Sequence, residues 1–456
     1  MSARALVGLV GLQALYLIVG SCLLRALCGW RSWRACAPLA GLAYLLGVAA
    51  LGIVWTLLLV AGVPFGGVTI LASAVAVALV SLGVGRWRGG PSPTRAQARA
   101  LTWFSLVAAT GIALTAIFLE ALFRASRLQG LYAFDAWAFW VPKAIVIYSF
   151  DGLDEQFFEQ LDGPTYPPLV PIVDAVAFHA MGSADVVTLH VQYWFFAAGF
   201  AAAVAGLLCR HVPSWILWPL LVFTLVVPRT AGHLVTPQAD FLLQFFFCVA
   251  VLLAALWLLE GSTWYLATAT LLLGAAVLTK REGILLAAIL LFALAVASFD
   301  RLRHTWPRIG VSALVVVAVG LPWRLWYRSH DISGEAPTSF EASLERVYDA
   351  FRLAIDVFFD PALWSVLTLV AVAAVVLAAI WGDRRLAVFF GCVFVLIVFG
   401  GTWITAAFPE IPVTAEEAVN PIVRYTASAV LVAGVASPLL LAGVWARAGR
   451  QERQVG

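Results

Sequence analysis

The chain has 456 residues, of which 63% are hydrophobic and only 12% charged, with a mean hydropathy of +0.96. A soluble monomer of this length needs far more polar surface, so the composition excludes a soluble globular protein and predicts an integral membrane protein. The net charge of +3 carries no nucleic-acid signal, because the arginines sit in short links between apolar runs.

Long apolar runs with short charged links predict an all-α, polytopic transmembrane helical bundle; a barrel would show weak alternation in short segments. In chain order, the runs long enough to cross are 5–24, 38–61, 67–85, 100–123, 186–208, 239–259, 262–279, 283–299, 309–326, 361–381, 387–407 and 424–446. A shorter run, 214–228, lies between Pro213 and Pro228 and crosses only where the bilayer is thin. Together they give about 13 spans. The first run leads directly into further spans and is expected to be a helix rather than a cleaved signal. Val19-Gly20-Ser21-Cys22 inside it reads as small helical residues rather than a lipoprotein box. The six cysteines fall in or beside apolar runs without metal spacing, and read as small buried hydrophobes.

Arginine placement tests this count. The arginine-rich links begin at Arg25, Arg86, Arg210, Arg301 and Arg384, with a basic tail from Arg447. All fall on one side, the cytoplasm, if the proline-led segment 167–181 does not cross. That segment is therefore expected to be re-entrant or interfacial. The expected organisation is N-terminal transmembrane helices over 1–99, a membrane module over 100–446 that includes an external loop at 124–185, and a cytoplasmic tail at 447–456. Loop 328–356 is expected to hold an amphipathic helix from Ser339 to Phe351, with Leu344, Val347, Tyr348 and Phe351 on one stripe.

The external face collects the unusual residues. Asp135 stands among aromatics, and an ionised carboxylate there is costly to desolvate without a compensating cation or substrate. It reads equally as a general base or as a helix N-cap. Trp137 and Trp140 suit stacking on a sugar ring, although interfacial tryptophan is common. Only two lysines occur among 28 basic residues, Lys143 and Lys280. With Arg281 and Arg424 they are external cations suited to a phosphate, or to snorkelling toward head groups. Glu282 is placed to pair with Lys280 or Arg281. Asp240 opens an apolar run, where a helix-start carboxylate is also expected. His233, Asp240 and Glu282 have no diagnostic metal spacing. No cofactor is called for; a divalent metal stays open.

The run Asp135-Ala136-Trp137, Trp140, Lys143-Ala144 and then Tyr166-Pro167-Pro168-Leu169 resembles the first external loop of GT-C-type integral membrane glycosyltransferases. The group meant comprises protein O-mannosyltransferases, the lipid A aminoarabinose transferase and RgtA/B/C/D-like enzymes. Ala239-Asp240, Leu278 to Gly283, Leu321-Pro322-Trp323 and Arg424-Tyr425 resemble the rest of that pattern. Two departures stand out: Asp135 is followed by Ala136 rather than a second acid, and extra spans precede the loop. The resemblance implies a GT-C-like fold, Asp135 as base with Asp240 as the second carboxylate, and substrate contacts from Tyr166, His233 and the cations. It also implies a polyprenyl-phosphate-linked sugar donor, a glycan, lipid or protein acceptor, and a site on the external side of a bacterial cytoplasmic membrane. A lipid-sugar flippase or other transporter is the competing reading, and it would place ionisable groups in matched halves near the midplane. An inactive scaffold is a third.

Overall fold

A computed structural model describes residues 2–30, 32–88, 105–333, 344–407 and 419–455. Every described element is helical. In chain order they are α1 (Ala3–Cys28), α2 (Ala40–Val60), α3 (Gly67–Arg88), α4 (Leu106–Ser126), α5 (Val141–Phe150), α6 (Glu155–Gln160) and α7 (Leu169–Met181). There follow α8 (Val186–Leu208), α9 (Ser214–Val226), α10 (Pro228–His233), α11 (Ala239–Glu260), α12 (Thr263–Thr279) and α13 (Glu282–Ala297). The last are α14 (Leu302–Ser329), α15 (Leu344–Phe358), α16 (Pro361–Trp364), α17 (Leu367–Trp381), α18 (Arg384–Ala407) and α19 (Val419–Val455).

Among the described residues, nine helices are long and apolar enough to cross a membrane. Four of the runs expected to cross form shorter helices, α9, α12, α13 and α17. The 17 residues of α12 span about 26 Å, somewhat less than a typical hydrocarbon core of about 30 Å. The cause is local. Pro213 and Pro228 bound α9, extended Lys280 separates α12 from α13, and Ser365, at φ 55°, cuts α16 from α17.

The helix ends sort into two groups. At one end Trp30 packs edge-on to Trp264, His211 faces Glu260 and Arg385 reaches Asp300. Four of the arginine-rich links lie here. At the other end the Phe65 amide donates to the Asp151 carbonyl, His179 lies 3.5 Å from Asp151, and the charges of the candidate site meet.

Helix α7 belongs wholly to this second half. It begins with Leu169 against Gly52, about 12 Å short of the end of α2, and finishes with Ala180 against Gly8 near the start of α1. Its residues from Leu169 to Phe178 are all buried, so α7 is a core helix at half depth rather than an interfacial one. That follows from its sequence, which is apolar on every side except at Asp174 and, near its end, His179. Asp174 is held within the bundle by the Gln192 amide at 2.9 Å and the Tyr193 hydroxyl at 3.0 Å.

The expected amphipathic helix is α15, displaced toward the C-terminus; its expected start at 339–343 lies outside the described residues. The stripe named from the sequence faces outward, with Leu344 90% and Tyr348 65% exposed, while Ala350, Ala354, Val357 and Phe358 form the packed face. An apolar stripe turned away from protein suits a helix lying at a bilayer interface. Arg346 fixes it by donating to the carbonyls of Ala406 and Thr405.

The first two helices cross through glycine. A Cβ on Gly20 would fall 1.7 Å from the Ala43 carbonyl oxygen, and one on Gly47 would fall 1.9 Å from that of Tyr16. Backbones this close are the small-residue packing of membrane bundles. Gly20→Val is expected to lower stability by roughly 1–3 kcal/mol or more through overpacking. A thermal unfolding midpoint in mild detergent equal to that of the parent protein would contradict this contact.

Candidate active site

The site is assembled from five helix ends. Asp135 sits at the start of a helical stretch whose next five residues, Ala136–Trp140, form a π-helical turn. Such widened turns are rare and are frequent at functional positions. The Asp135 side chain makes no cap hydrogen bond, so the N-cap alternative falls away. Its Oδ2 pairs instead with Arg424 at 2.8 Å, near the start of α19.

A second cluster lies beside this pair. Helices α12 and α13 turn sharply at Lys280, and Gly283 permits it, since a Cβ there would meet the Ala276 carbonyl oxygen at 2.1 Å. This closeness drives Lys280 inward, leaving it only 4% exposed. Its ammonium reaches Asp240 Oδ1 at 2.8 Å and Glu282 Oε1 at 3.1 Å. Burial by itself pushes the Lys280 ammonium down, but Asp240 and then Glu282 more than reverse this and hold its pKa above the ordinary lysine value. Lys280 is therefore charged. A charged group this deep persists only because it is paired.

The two clusters face one space. Asp135, Asp240 and Arg424 line a cavity of about 220 Å³ together with Tyr132, Arg229, Gln238, Gln244 and Trp364. Asp240, Gln244 and Arg424 also wall an adjoining narrow crevice of about 20 Å³, shared with Lys280 and Glu282. Most of its remaining lining, Leu243, Leu285, Leu286, Ile289 and Ile397, is aliphatic and follows α13 and α18 into the bundle, with Tyr425 and Ser428 on the α19 side. Charge therefore sits at the mouth and mostly aliphatic side chains below, and a space this small holds about one water, so anything longer would have to part α13 and α18.

The other residues singled out from the sequence lie elsewhere. Trp137 is half exposed and packs on Phe134 at 5.1 Å, outside the cavity. Trp140, Lys143, Tyr166 and Arg281 form a wall behind it. Lys143 is 1% exposed; its ammonium donates to the Gly163 carbonyl at 2.6 Å and lies 5.7 Å from the Trp140 ring and 5.8 Å from that of Tyr166. Arg281 covers the other part of Tyr166 at 4.5 Å and donates to Thr165, whose carbonyl accepts from Trp323 at 3.2 Å. These cations brace the 163–166 turn; they do not line the cavity. The His233 side chain lies outside the described residues. Among those described, no group of three or more His, Cys, Asp or Glu is placed to hold a metal ion. Lysine and arginine occupy the positions between the carboxylates, and a divalent metal does not fit there without displacing them.

Sequence reasoning passed over Arg229 and Gln244. Arg229 could be found as a further arginine on the face that carries Arg281 and Arg424, and burial, then the nearby Arg424 charge, depresses its pKa. Gln244 was marked by its place one turn after Asp240 in an apolar run; its buried Oε1 has no hydrogen-bond partner, an acceptor facing both spaces. No family model matches this chain, and neither a curated protein nor a solved structure does.

Two outcomes are expected here. Lys280→Met leaves Asp240 and Glu282 facing each other in a buried site, and is expected to cost about 3–5 kcal/mol of stability. An unfolding midpoint within a degree of the parent would count against the pairing. For Lys143, burial and then Arg281 push the ammonium down from 10.5 to about 7, with Asp162 working the other way. Between these values the unfolded chain carries a proton that the folded chain has lost, so stability rises with pH across that window. Lys143→Met is expected to flatten that rise, and parallel midpoint-against-pH curves for the two proteins would refute it.

Proposed function

We propose that this protein is an integral membrane glycosyltransferase. It takes a sugar from a polyprenyl-phosphate-linked donor and transfers it to an acceptor hydroxyl on the outer face of a bacterial cytoplasmic membrane. The observation that carries this reading is the joining of a carboxylate-and-cation cavity to an aliphatic crevice at Asp240, Gln244 and Arg424. A polyprenyl phosphate needs both halves. Its tail stays in hydrocarbon, so the reacting carbon is confined to the level where tail and phosphate meet.

The chemistry follows from the pairings. Arg424 and Lys280 are the cations nearest the junction, and a donor phosphate competes for them with Asp135 and Asp240. When Arg424 turns to the phosphate, Asp135 is released as an acceptor for a proton. The acceptor oxygen then attacks the anomeric carbon in line, its proton passes to Asp135, and the carbon–oxygen bond to the phosphate breaks with inversion. Arg424 and Lys280 hold the charge that develops on the leaving polyprenyl phosphate. Asp240 keeps Lys280 aimed at that point, and Tyr132 and Trp364 offer ring faces to the sugar. The first is held in place by hydrogen bonds to Thr236 and the Gly232 carbonyl. Glycan, lipid and protein hydroxyls all satisfy this scheme as acceptor.

The test is a panel of labelled polyprenyl-phosphate sugars incubated with purified protein and membrane extract, with label followed into product. One donor is expected to be consumed. Asp135→Asn is expected to reduce the rate by roughly a hundredfold to ten-thousandfold while leaving expression and thermal midpoint near parental values. Full transfer activity in that variant would sink the assignment of the base.

A further inference from the structure

At the opposite, arginine-bearing end, the C-terminal ends of α11 and α13 meet the starts of α14 and α18 around a second cavity, of about 280 Å³. Arg301, His304, Arg308 and Arg385 line it, against two carboxylates, Asp300 and Glu260. Both carboxylates are already engaged. Asp300 Oδ2 lies 2.5 Å from Arg385 and 3.8 Å from Arg301, while Glu260 accepts from the Tyr265 hydroxyl at 3.0 Å and faces His211 at 3.3 Å. Arg308 and His304 have no ion-pair partner among the described residues. Trp257, only 3% exposed, also lines the cavity, and its buried indole N–H has no acceptor among the described residues. The cavity is therefore a place with donors and positive charge to spare.

The surroundings identify the class of ligand. Phe299 and Trp306, on the same link as Arg301 and Arg308, are 76% and 61% exposed. Rings turned outward at a helix end belong at the head-group level of a bilayer. Beyond them, the outward face of α13 exposes Val296 and Phe292, at 38% and 57%, in line toward the hydrocarbon. Arginines that merely snorkel fan out to separate head groups; these line one half-open cavity together.

We propose that this cavity binds the phosphodiester head group of an anionic lipid of the inner leaflet, with its acyl chains along Val296 and Phe292. Arg308 and His304 take the phosphate oxygens, while Asp300 holds Arg301 and Arg385 in place at the rim. The site stands apart from Asp135 and does not depend on the proposed transfer reaction.

Delipidated protein in mild detergent would be titrated with phosphatidylglycerol, phosphatidylcholine or inorganic phosphate, with bound lipid counted by native mass spectrometry and the thermal midpoint read in parallel. Phosphatidylglycerol is expected to bind in preference to phosphatidylcholine and to raise the midpoint. Arg308→Ala is expected to weaken that binding roughly fivefold, and adding His304→Ala to weaken it further. Both side chains are exposed, so the variants are expected to keep the parental elution volume and helix content. Equal phosphatidylglycerol retention by parent and double variant would overturn the site. Protection by inorganic phosphate that matches and displaces phosphatidylglycerol would overturn the lipid as its occupant.

Discussion

The half of the molecule that holds the candidate site depends on one electrostatic constraint: charges taken out of water must alternate in sign. Asp135, Arg424 from late in the chain, Asp240, Lys280 and Glu282 meet in this order, and Lys280, the deepest of them, persists there only through its carboxylate partners. Their mutual attraction is strengthened by the same low dielectric that penalises each alone. The constraint fixes how the ends of α11, α12, α13 and α19 sit relative to the stretch around Asp135. In the proposed reaction, a phosphate gains either cation only by withdrawing it from a carboxylate.

Behind this row stands an aromatic and cationic wall that does a different task. Trp140, Tyr166, Lys143 and Arg281 clamp the turn at Gly163 and Thr165, and Trp323 of α14 ties that turn to the bundle. Helix α7, buried at half depth, then carries the chain back to the end of the bundle that holds the site. The segment between Asp135 and α8 is thus built into the bundle, and the position of Asp135 is inherited from packing.

Much of the architecture was legible in the hydropathy. Apolar runs of crossing length have few stable outcomes other than helices, and charged residues at their ends have nowhere to go but one face or the other. What could not be read was the direction in which side chains point. Lys143 and Arg281 look like free external cations in the sequence, yet aromatic packing turns both toward the 163–166 turn. The same limit hid Gln244, since one amide in an apolar run is equally a core residue until a cavity lies beside it. The number of spans was blurred for a different reason. Proline, extended Lys280 and left-handed Ser365 cut helices short without changing how apolar their sequences are. The GT-C resemblance directed attention to Asp135; the pairings around it are what give that residue a chemical role to test.

The burial of the Lys280 pairs has a consequence for the solution around the protein. The side chains of Lys280 and Asp240 are only 5% and 10% exposed, so dissolved ions reach them poorly and the attraction between them is little screened. The arginines at the opposite end are open to water, with Arg301 64% exposed, and salt at a few tenths molar screens them within a few ångströms. Ionic strength therefore acts on the two ends of this molecule unequally. It loosens whatever the arginine-bearing end holds by charge, and leaves the Lys280 cluster almost as it was.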